Sequence, residues 1–386
     1  DARVRYEARG ADEQATPGSG QISTYKERNR YRYALHAGVK GDLSDDFFYE
    51  LRLATNTNPR SANVTFGDDS STSGPGGKTS DAINVDHIFL GWKPTDWFTG
   101  IAGRQANPLY TTSMVWDSDI SLEGLTEQFN HKFGNFEAFA TFGQYVYSAG
   151  SYSPNTVSDN HGGSFLMAYQ IGTKYNFDKT TSFKIAPAIY QYSGHGSGAG
   201  ADFGAPFTTG YGSPTAANST AYSGVNIGTD HLQVVEVPVE FDWTAWKLPF
   251  RAFGEFAVNT EADARATVAG RPDKSDEAYA YEIGLEVGSK KKKGDWDVKS
   301  WWQHVEAFAL DPNLVDADIF DSRINMQGYA ISASYMCTDA VSVGITYANG
   351  DRIDNTLGNA ASAGDLTSIN PIGNYQLLQL DLNWKF

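Results

Sequence analysis

The feature that most constrains this chain is a regular alternation of apolar and polar residues, in stretches of about 9–15 residues separated by turns or loops. In the stretch 231–243, Val235 and Val237 lie on one parity and Glu236 and Glu240 on the other. Successive side chains of an extended strand point to opposite faces, so each stretch has an apolar face and a polar face. Because no stretch shows a helical period, we predict an all-β chain.

About sixteen of these stretches follow one another along 386 residues. Short turns and longer loops alternate between them, which predicts one antiparallel up-and-down meander. The predicted strands are 2–9, 25–40, 47–55, one ending at 88–92, 97–105, 123–132, 136–147, 164–177, 182–192, 231–243, 249–259, 278–288, 296–309, 328–336, 341–349 and 374–386.

A meander of this size predicts a closed barrel, because an open sheet would curl or split and its free edges would aggregate. The soluble alternatives are a large sandwich and a propeller, but we find no repeat of about 40 residues with a blade signature. Apolar faces turned inward would leave the lumen of a sixteen-stranded barrel too wide for side chains to fill. We therefore expect the apolar faces to meet lipid and the polar faces to line water.

Several further features fit a barrel in the bacterial outer membrane. No run approaches the ~18 apolar residues of a membrane helix, but a barrel strand needs only one apolar face. Short turns would form the periplasmic rim and long loops the extracellular rim, with 193–230 the longest loop. Tryptophans cluster near strand ends, as interface girdles require: Trp92, Trp97, Trp243, Trp246, Trp296 and Trp384.

We expect residues 1–386 to form one transmembrane domain whose outer surface contacts membrane lipid and lipopolysaccharide. The apolar parity is imperfect at 123–132 and 136–147, so these strands are candidates to face another subunit instead of lipid. The first residues hold no apolar signal-peptide core, which leaves a mature, truncated or cytoplasmic chain.

One predicted strand carries an unusual number of cations on its polar face. In YKERNRYRYALH (25–36), tyrosines and Leu35 alternate with basic residues, and an earlier strand adds two arginines on its polar parity. We call the basic set the arginine ladder: Arg3, Arg5, Lys26, Arg28, Arg30 and Arg32. A solvated lumen face is the alternative to a role in selectivity.

Net charge and residue usage exclude several classes of function. The formal net charge of -16 argues against nucleic acid as the main partner. The single Cys337 forms no disulfide framework, and the seven histidines show no ligand spacing. No motif positions a catalytic pair, so we predict that the chain is not an enzyme and carries no cofactor. Loop carboxylates remain candidates for a divalent cation: Asp68, Asp69, Asp311, Asp316, Asp318 and Asp321.

Three stretches and the C-terminus resemble a known family. FLGWKPTDWFTGIAGRQANPLYTTSMVWDSDISLEGL (89–125), IGLEVGSKKKKGDWDVKSWWQHVEA (283–307) and GYAISASYMCTDAVSVGITY (328–347) resemble the "Putative porin" family of bacterial outer-membrane barrels. The final NWKF, ending on Phe386, resembles the C-terminal assembly signal of such barrels. The resemblance implies a sixteen-stranded porin, a homotrimer, that lets ions and small hydrophilic solutes diffuse passively.

The resemblance also implies a constriction. In trimeric porins the third long loop folds into the barrel, and by our count this loop is 106–122. It would bring acidic and aromatic side chains into the channel: Trp116, Asp117, Asp119 and Glu123. The arginine ladder, with Arg52 and Arg104, would face them and create a transverse field.

The polar parities of later strands supply the other candidate lumen wall: Glu236, Glu240, Arg251, Glu255, Glu282, Glu286 and Asp381. Two further functions stay open. The ladder could form a binding site of a channel selective for anions or a small organic acid, or the barrel could be a structural or adhesive surface protein.

Overall fold

A computed structural model of the protein describes residues 1–13, 24–55, 61–67, 82–148, 164–193, 229–359, 366 and 372–386. Within these ranges, eighteen strand segments form one antiparallel sheet. The segments are β1 (Ala2–Glu13), β2 (Thr24–Asp42), β3 (Phe47–Thr55), β4 (Val64–Thr65), β5 (Ile83–Thr95), β6 (Phe98–Ala106), β7 (Ser121–Phe133), β8 (Phe136–Ser148), β9 (Ser164–Asn176), β10 (Ser182–Ile185), β11 (Ala188–Ser193), β12 (Gln233–Ala245), β13 (Leu248–Asn259), β14 (Tyr279–Ser289), β15 (Trp296–Val305), β16 (Met326–Met336), β17 (Val341–Arg352) and β18 (Ile372–Trp384).

The sheet closes into a barrel because β1 pairs with both β2 and β18. The eighteen segments make sixteen barrel strands. β10 and β11 are two parts of one strand, since both pair with β9 and β12. Pro187, which has no N–H to donate, lies at the break between them. β4 is a two-residue segment that pairs with Arg32 and Tyr33 of β2. The predicted sixteen-stranded antiparallel barrel is confirmed.

Short turns at one rim join β2 to β3, β5 to β6 and each later pair in the same way, and both chain termini lie at this short-turn rim. The long connections meet at the opposite rim, which we call the long-loop rim. Of these, 194–228 lies outside the described residues, as do 14–23, 56–60, 68–81, 149–163 and most of 360–371. One α-helix, α1 (Ala262–Val268), and a 3-10 helix, Pro272–Lys274, lie on the long connection between β13 and β14. Among the described residues, no helix is long and apolar enough to span a bilayer.

Side chains separate by parity as the sequence predicts. On β14, Tyr281, Ile283 and Leu285 are exposed on the outer surface, while Glu282 between them is buried inside. Aromatic residues form a girdle near the short-turn rim, where Trp97 stacks on Phe129 with ring centroids 6.1 Å apart.

The main departure from the predicted strands concerns β15, which ends at Val305 and not at residue 309. Ala307, Phe308 and Leu310 are fully buried beyond this end. The sequence pattern predicts a longer strand because apolar residues continue past Val305. These residues belong to the next connection, which folds into the barrel and buries them there.

Candidate pore constriction

The connection 107–120 between β6 and β7 enters the barrel, and we call it the first inward loop. Carboxylates of the facing wall hold it there. The backbone N–H of Thr112 donates to Glu255 Oε2 at 3.0 Å, and its hydroxyl donates to the same oxygen. The hydroxyl of Thr111 donates to Glu236 Oε2 at 3.1 Å. Tyr190 OH donates to the other Glu236 oxygen at 2.6 Å. These lumen-wall glutamates therefore act as anchors for the loop.

The tip of the first inward loop departs from the expected arrangement of channel residues. Trp116 is buried in an apolar cluster, with its ring 5.6 Å from that of Tyr190, and borders a small void of about 10 Å³ between the loop and the wall. Asp117 is also buried and accepts the backbone N–H of Asp119 at 2.9 Å. A large aromatic ring is stabilised most by burial, so Trp116 packs against the barrel wall. Asp119, three residues later, borders the polar cavities instead.

A second connection, 306–325 between β15 and β16, also folds into the barrel, and we call it the second inward loop. The two loops are hydrogen bonded to each other. Asp117 N donates to Leu314 O at 2.6 Å, Ala317 N donates to Asp117 Oδ2 at 3.1 Å, and Asp316 N donates to Ser113 O at 3.2 Å. Sequence reasoning missed this loop, although a connection this rich in apolar residues was a signal.

The arginine ladder lies on the inner face of β1 and β2, where Arg30 and Arg32 are buried. Glu7, an inward residue that the sequence reading did not single out, is the centre of their ion pairs. Its carboxylate lies 2.5 Å from Arg30 Nη2, 3.0 Å from Arg9 Nε and 3.6 Å from Arg32 Nη1. The buried part of the ladder is therefore largely neutralised within the wall.

The ladder also fastens the second inward loop. Arg5 lies 2.7 Å from Asp381 of β18 and 3.0 Å from Asp318 of the loop. Arg9 adds an ion pair of 3.1 Å to Asp321. Charge-assisted contacts of this kind stabilise a loop in one position, and Arg5 joins two strands to the loop.

The other predicted cations are less buried than Arg5, Arg30 and Arg32. Lys26 is exposed and Arg28 is half-buried, both toward the long-loop rim. Arg3, near the short-turn rim, donates to Asn63 Oδ1 at 2.6 Å. Arg52 of β3 forms an ion pair with Asp86 of β5.

Glu123 does not enter the channel as expected, whereas Arg104 is among the residues around the smaller interior cavity described below and also pairs with Glu123. Glu123 belongs to β7 and lies directly opposite Arg104 of β6, with Arg104 Nη1 and Glu123 Oε1 2.5 Å apart. Glu123 shares its parity with the exposed Leu125, and Arg104 lies opposite the exposed Ile88, so this pair lies on the outer surface.

The wall formed by β12–β14 carries the other predicted charges. Arg251 lies between two carboxylates, 2.5 Å from Glu286 and 3.5 Å from Glu240. Glu240 also accepts the hydroxyl of Tyr110 at 3.0 Å, so it too holds the first inward loop. Glu282 is buried on the same wall, between the strand positions of Glu255 and Gln303.

Two polar cavities remain beside the inward loops. The larger, about 520 Å³, lies near the short-turn rim against β1, β2 and β16–β18. The smaller, about 60 Å³, lies against β2, β3, β5 and β6, and its charged lining includes Arg52, Asp86 and Arg104. His36 and Asp119 line both cavities, so we call these two residues the neck.

The charge of Asp119 depends on pH within an accessible range. Burial, together with the nearby carboxylates of Asp318 and Asp117, raises the pKa of Asp119 to about 7. Arg3 and Arg5 oppose this shift. The neck is therefore expected to gain negative charge as the pH rises through 7.

The predicted cation ligands do not assemble into a metal site in the described part of the chain. No group of three or more histidine, cysteine, aspartate or glutamate side chains there could hold a metal ion. Asp311 instead accepts the hydroxyl of Tyr147 at 2.7 Å, and Asp321 pairs with Arg9 and Arg323. Asp68 and Asp69 lie outside the described residues.

Comparison with known proteins places this barrel in a family. Residues 5–200 match the family described as "Putative porin". The chain belongs to this porin family. A comparison with curated proteins gave no match.

Two solved structures are similar to this porin-family chain, and one of them reaches the level of a shared fold. OprB of Pseudomonas putida is 12% identical, with a TM-score of 0.50, and the match covers 100% of this chain and 94% of that chain. OmpT of Vibrio cholerae, an outer membrane protein, is 11% identical, with a TM-score of 0.44, and the match covers 100% and 97%. The family and the shared fold identify a porin-type barrel of the bacterial outer membrane.

Proposed function

We propose that this porin-family barrel is a passive, non-enzymatic channel through which ions and small hydrophilic solutes diffuse. The observation that carries the proposal is the pair of polar cavities that meet at His36 and Asp119. The first inward loop is held by β12 and β13, and the second is fastened to β1 beside the larger cavity. The two cavities are the space that the loops leave for water. Charged side chains along such a route tune ion selectivity without binding one solute tightly.

The proposed assembly is a single-domain barrel of residues 1–386, with its short-turn rim toward the periplasm and its long loops outside the cell. We propose that it works as a homotrimer surrounded by membrane lipid and lipopolysaccharide. The charged outer surface of β6 and β7 supports an oligomer, because isolated charges are costly against hydrocarbon. A heat-modifiable oligomer band on gels is expected.

Single-channel recording in planar bilayers tests the function. A diffusion channel gives an ohmic conductance that grows with salt concentration and does not saturate with any one solute. A closed barrel with no conductance would contradict the proposal and leave the structural or adhesive function. The loop 193–230, on which an adhesive role would rest, lies almost wholly outside the described residues.

The second candidate is a channel selective for anions or a small organic acid. It is favoured by the cations around the neck, since Arg3 lines the larger cavity and Arg52 the smaller one. A conductance that saturates with a carboxylate solute, or that such a solute blocks, would favour this candidate over free diffusion.

A further inference from the structure

The outer surface of β6–β8 carries charged and amide side chains where a lipid-facing wall would be apolar. Arg104 and Glu123 form their ion pair there, and the Glu123 side chain is 56% exposed. Four residues further along β7, Glu127 accepts a hydrogen bond of 3.0 Å from Gln144 of β8. Both of these side chains lie on the outer face of the barrel, because Glu127 lies opposite Phe142 and Gln144 lies opposite the exposed Leu125.

These side chains lie within the apolar band and not at its edge. Arg104 is six residues beyond Phe98, which contacts the girdle residue Trp92, so it lies ~15 Å above the girdle at ordinary strand rise and tilt. The apolar band of such barrels is ~25 Å tall. Val85, still exposed and apolar, lies further toward the long-loop rim than Ile88, the residue opposite Arg104. An interface with headgroups therefore does not account for the charges.

The wall on the other side of the barrel shows what a lipid-facing surface of this chain looks like. The outward parity of β12 is Val235, Val237, Val239 and Phe241, and that of β14 is Tyr279, Tyr281, Ile283, Leu285 and Val287. No charged residue interrupts either series. The contrast with β6–β8 is local, so it does not reflect a general tolerance of charge on the outer surface.

The same surface is shaped to receive another molecule. A shallow groove of about 680 Å³ runs over it, with Ala102 and two glycines at its base. Gly103 and Gly124 lie opposite each other, and both positions require glycine, because a Cβ at either would lie 2.3 Å or less from a carbonyl oxygen of the neighbouring strand of the same barrel. Small residues at a membrane contact allow two backbones to approach closely.

We propose that the outer face of β6–β8, defined by Ala102, Arg104, Glu123, Leu125 and Glu127, is the contact surface between copies of this chain. The proposal rests on the homo-oligomer of the proposed function and assigns its interface. The occupant is a second copy because the patch carries both signs of charge. In a cyclic assembly, the guanidinium of one copy can meet carboxylates of the next while both leave lipid.

Photo-crosslinking in the native outer membrane tests the interface directly. A benzophenone amino acid replaces Leu125 in the groove, and the same substitution at Ile283 on β14 is the matched control. We expect ultraviolet light to give a product of twice the chain mass from position 125, containing peptides of this chain alone, and no such product from position 283. Crosslinking of position 125 to lipid, to lipopolysaccharide or to a different protein would overturn the proposal.

A steric variant gives a second, independent readout. Ala102→Trp fills the groove, whereas Ala252→Trp adds the same bulk between the outward Phe250 and Gly254 of β13. We expect Ala102→Trp to convert the oligomer band of unboiled samples to monomer and Ala252→Trp to leave it unchanged. Equal oligomer bands in both variants, or a monomeric parent protein, would overturn the interface. Conductance, recorded separately, decides the channel function, so the two failures remain distinguishable.

Discussion

Removing the charge of Asp119 should make the pore less selective for cations, since this carboxylate borders both cavities. For an ion passing ~4 Å from the carboxylate in water, the interaction is about 1 kcal/mol, favourable for a cation and unfavourable for an anion. The permeability ratio depends on the difference, about 2 kcal/mol, which corresponds to roughly a 30-fold change. Asp119→Asn should therefore lower the cation-to-anion ratio by up to about 30-fold at low salt.

Salt and pH give the prediction two internal checks. The Debye length falls from ~30 Å at 0.01 M to ~3 Å at 1 M, so in 1 M salt the same substitution should change the ratio only about 2-fold. The pKa of Asp119 is about 7, and the carboxylate is charged above this value. The difference between parent and variant should thus be full near pH 9 and should disappear as the pH falls below 6.

The assay is the reversal potential of single channels in planar bilayers under a salt gradient. Asp273→Asn is the matched control, because Asp273 carries the same charge on the long-loop side, exposed and paired with Arg271. A reversal potential that is the same for Asp119→Asn and parent at pH 9 and low salt would refute the assignment of the neck. An equal shift in the Asp273 control would show that overall charge, and not the neck, sets selectivity.

Three other substitutions test separate parts of the structure. Thr112→Val removes a hydroxyl donor to the buried Glu255 and should weaken the anchoring of the first inward loop by about 1–3 kcal/mol. Single-channel conductance should then rise and become noisier, and an unchanged conductance would contradict the role of Glu255 as an anchor. Glu7→Gln leaves three arginines without their common carboxylate and should lower the free energy of unfolding by about 3–5 kcal/mol. Denaturant unfolding in detergent measures this change, and an unshifted midpoint would show that the ion pairs of Glu7 do not stabilise the barrel. Burial and the nearby Glu306 and Asp354 raise the pKa of Glu277, on the β13–β14 connection, to about 7, so its ionisation makes the folded state less stable as the pH rises from about 4.5 to 7. Glu277→Gln should therefore be more stable than the parent at pH 8 and equally stable near pH 4.5, and parallel stability curves across this range would exclude that role.

The strand order and the two faces of the barrel could be predicted because each depends on local alternation. Every second residue of a strand lies on the same face, so the alternation of apolar and polar residues within each stretch shows which face meets lipid and which meets the lumen. β10 and β11 show the limit of the method, because the pattern predicts one strand, whereas Pro187 interrupts its hydrogen bonds. The break does not change the barrel, since both parts keep the same neighbours.

The interior could not be predicted in the same way, because it depends on contacts between segments far apart in sequence. Asp117 and Ala317 are two hundred residues apart and join the two inward loops. Nothing in the local pattern of 306–325 specifies that partner. Arg104 shows a related difficulty, since its type suggests a lumen residue and only the pairing with Ile88 and Glu123 reveals that it faces outward.

The arginine ladder illustrates how the interior changes the meaning of a sequence pattern. Its basic residues were expected to act as the cationic side of a field across the pore. Arg5, Arg30 and Arg32 instead pair within the wall or with the second inward loop. Neutralising Arg30 should therefore act mainly on stability, whereas substitutions at the neck should act on selectivity. The net charge of -16 gives no guide to either effect, because the pore responds to the few groups that border its water.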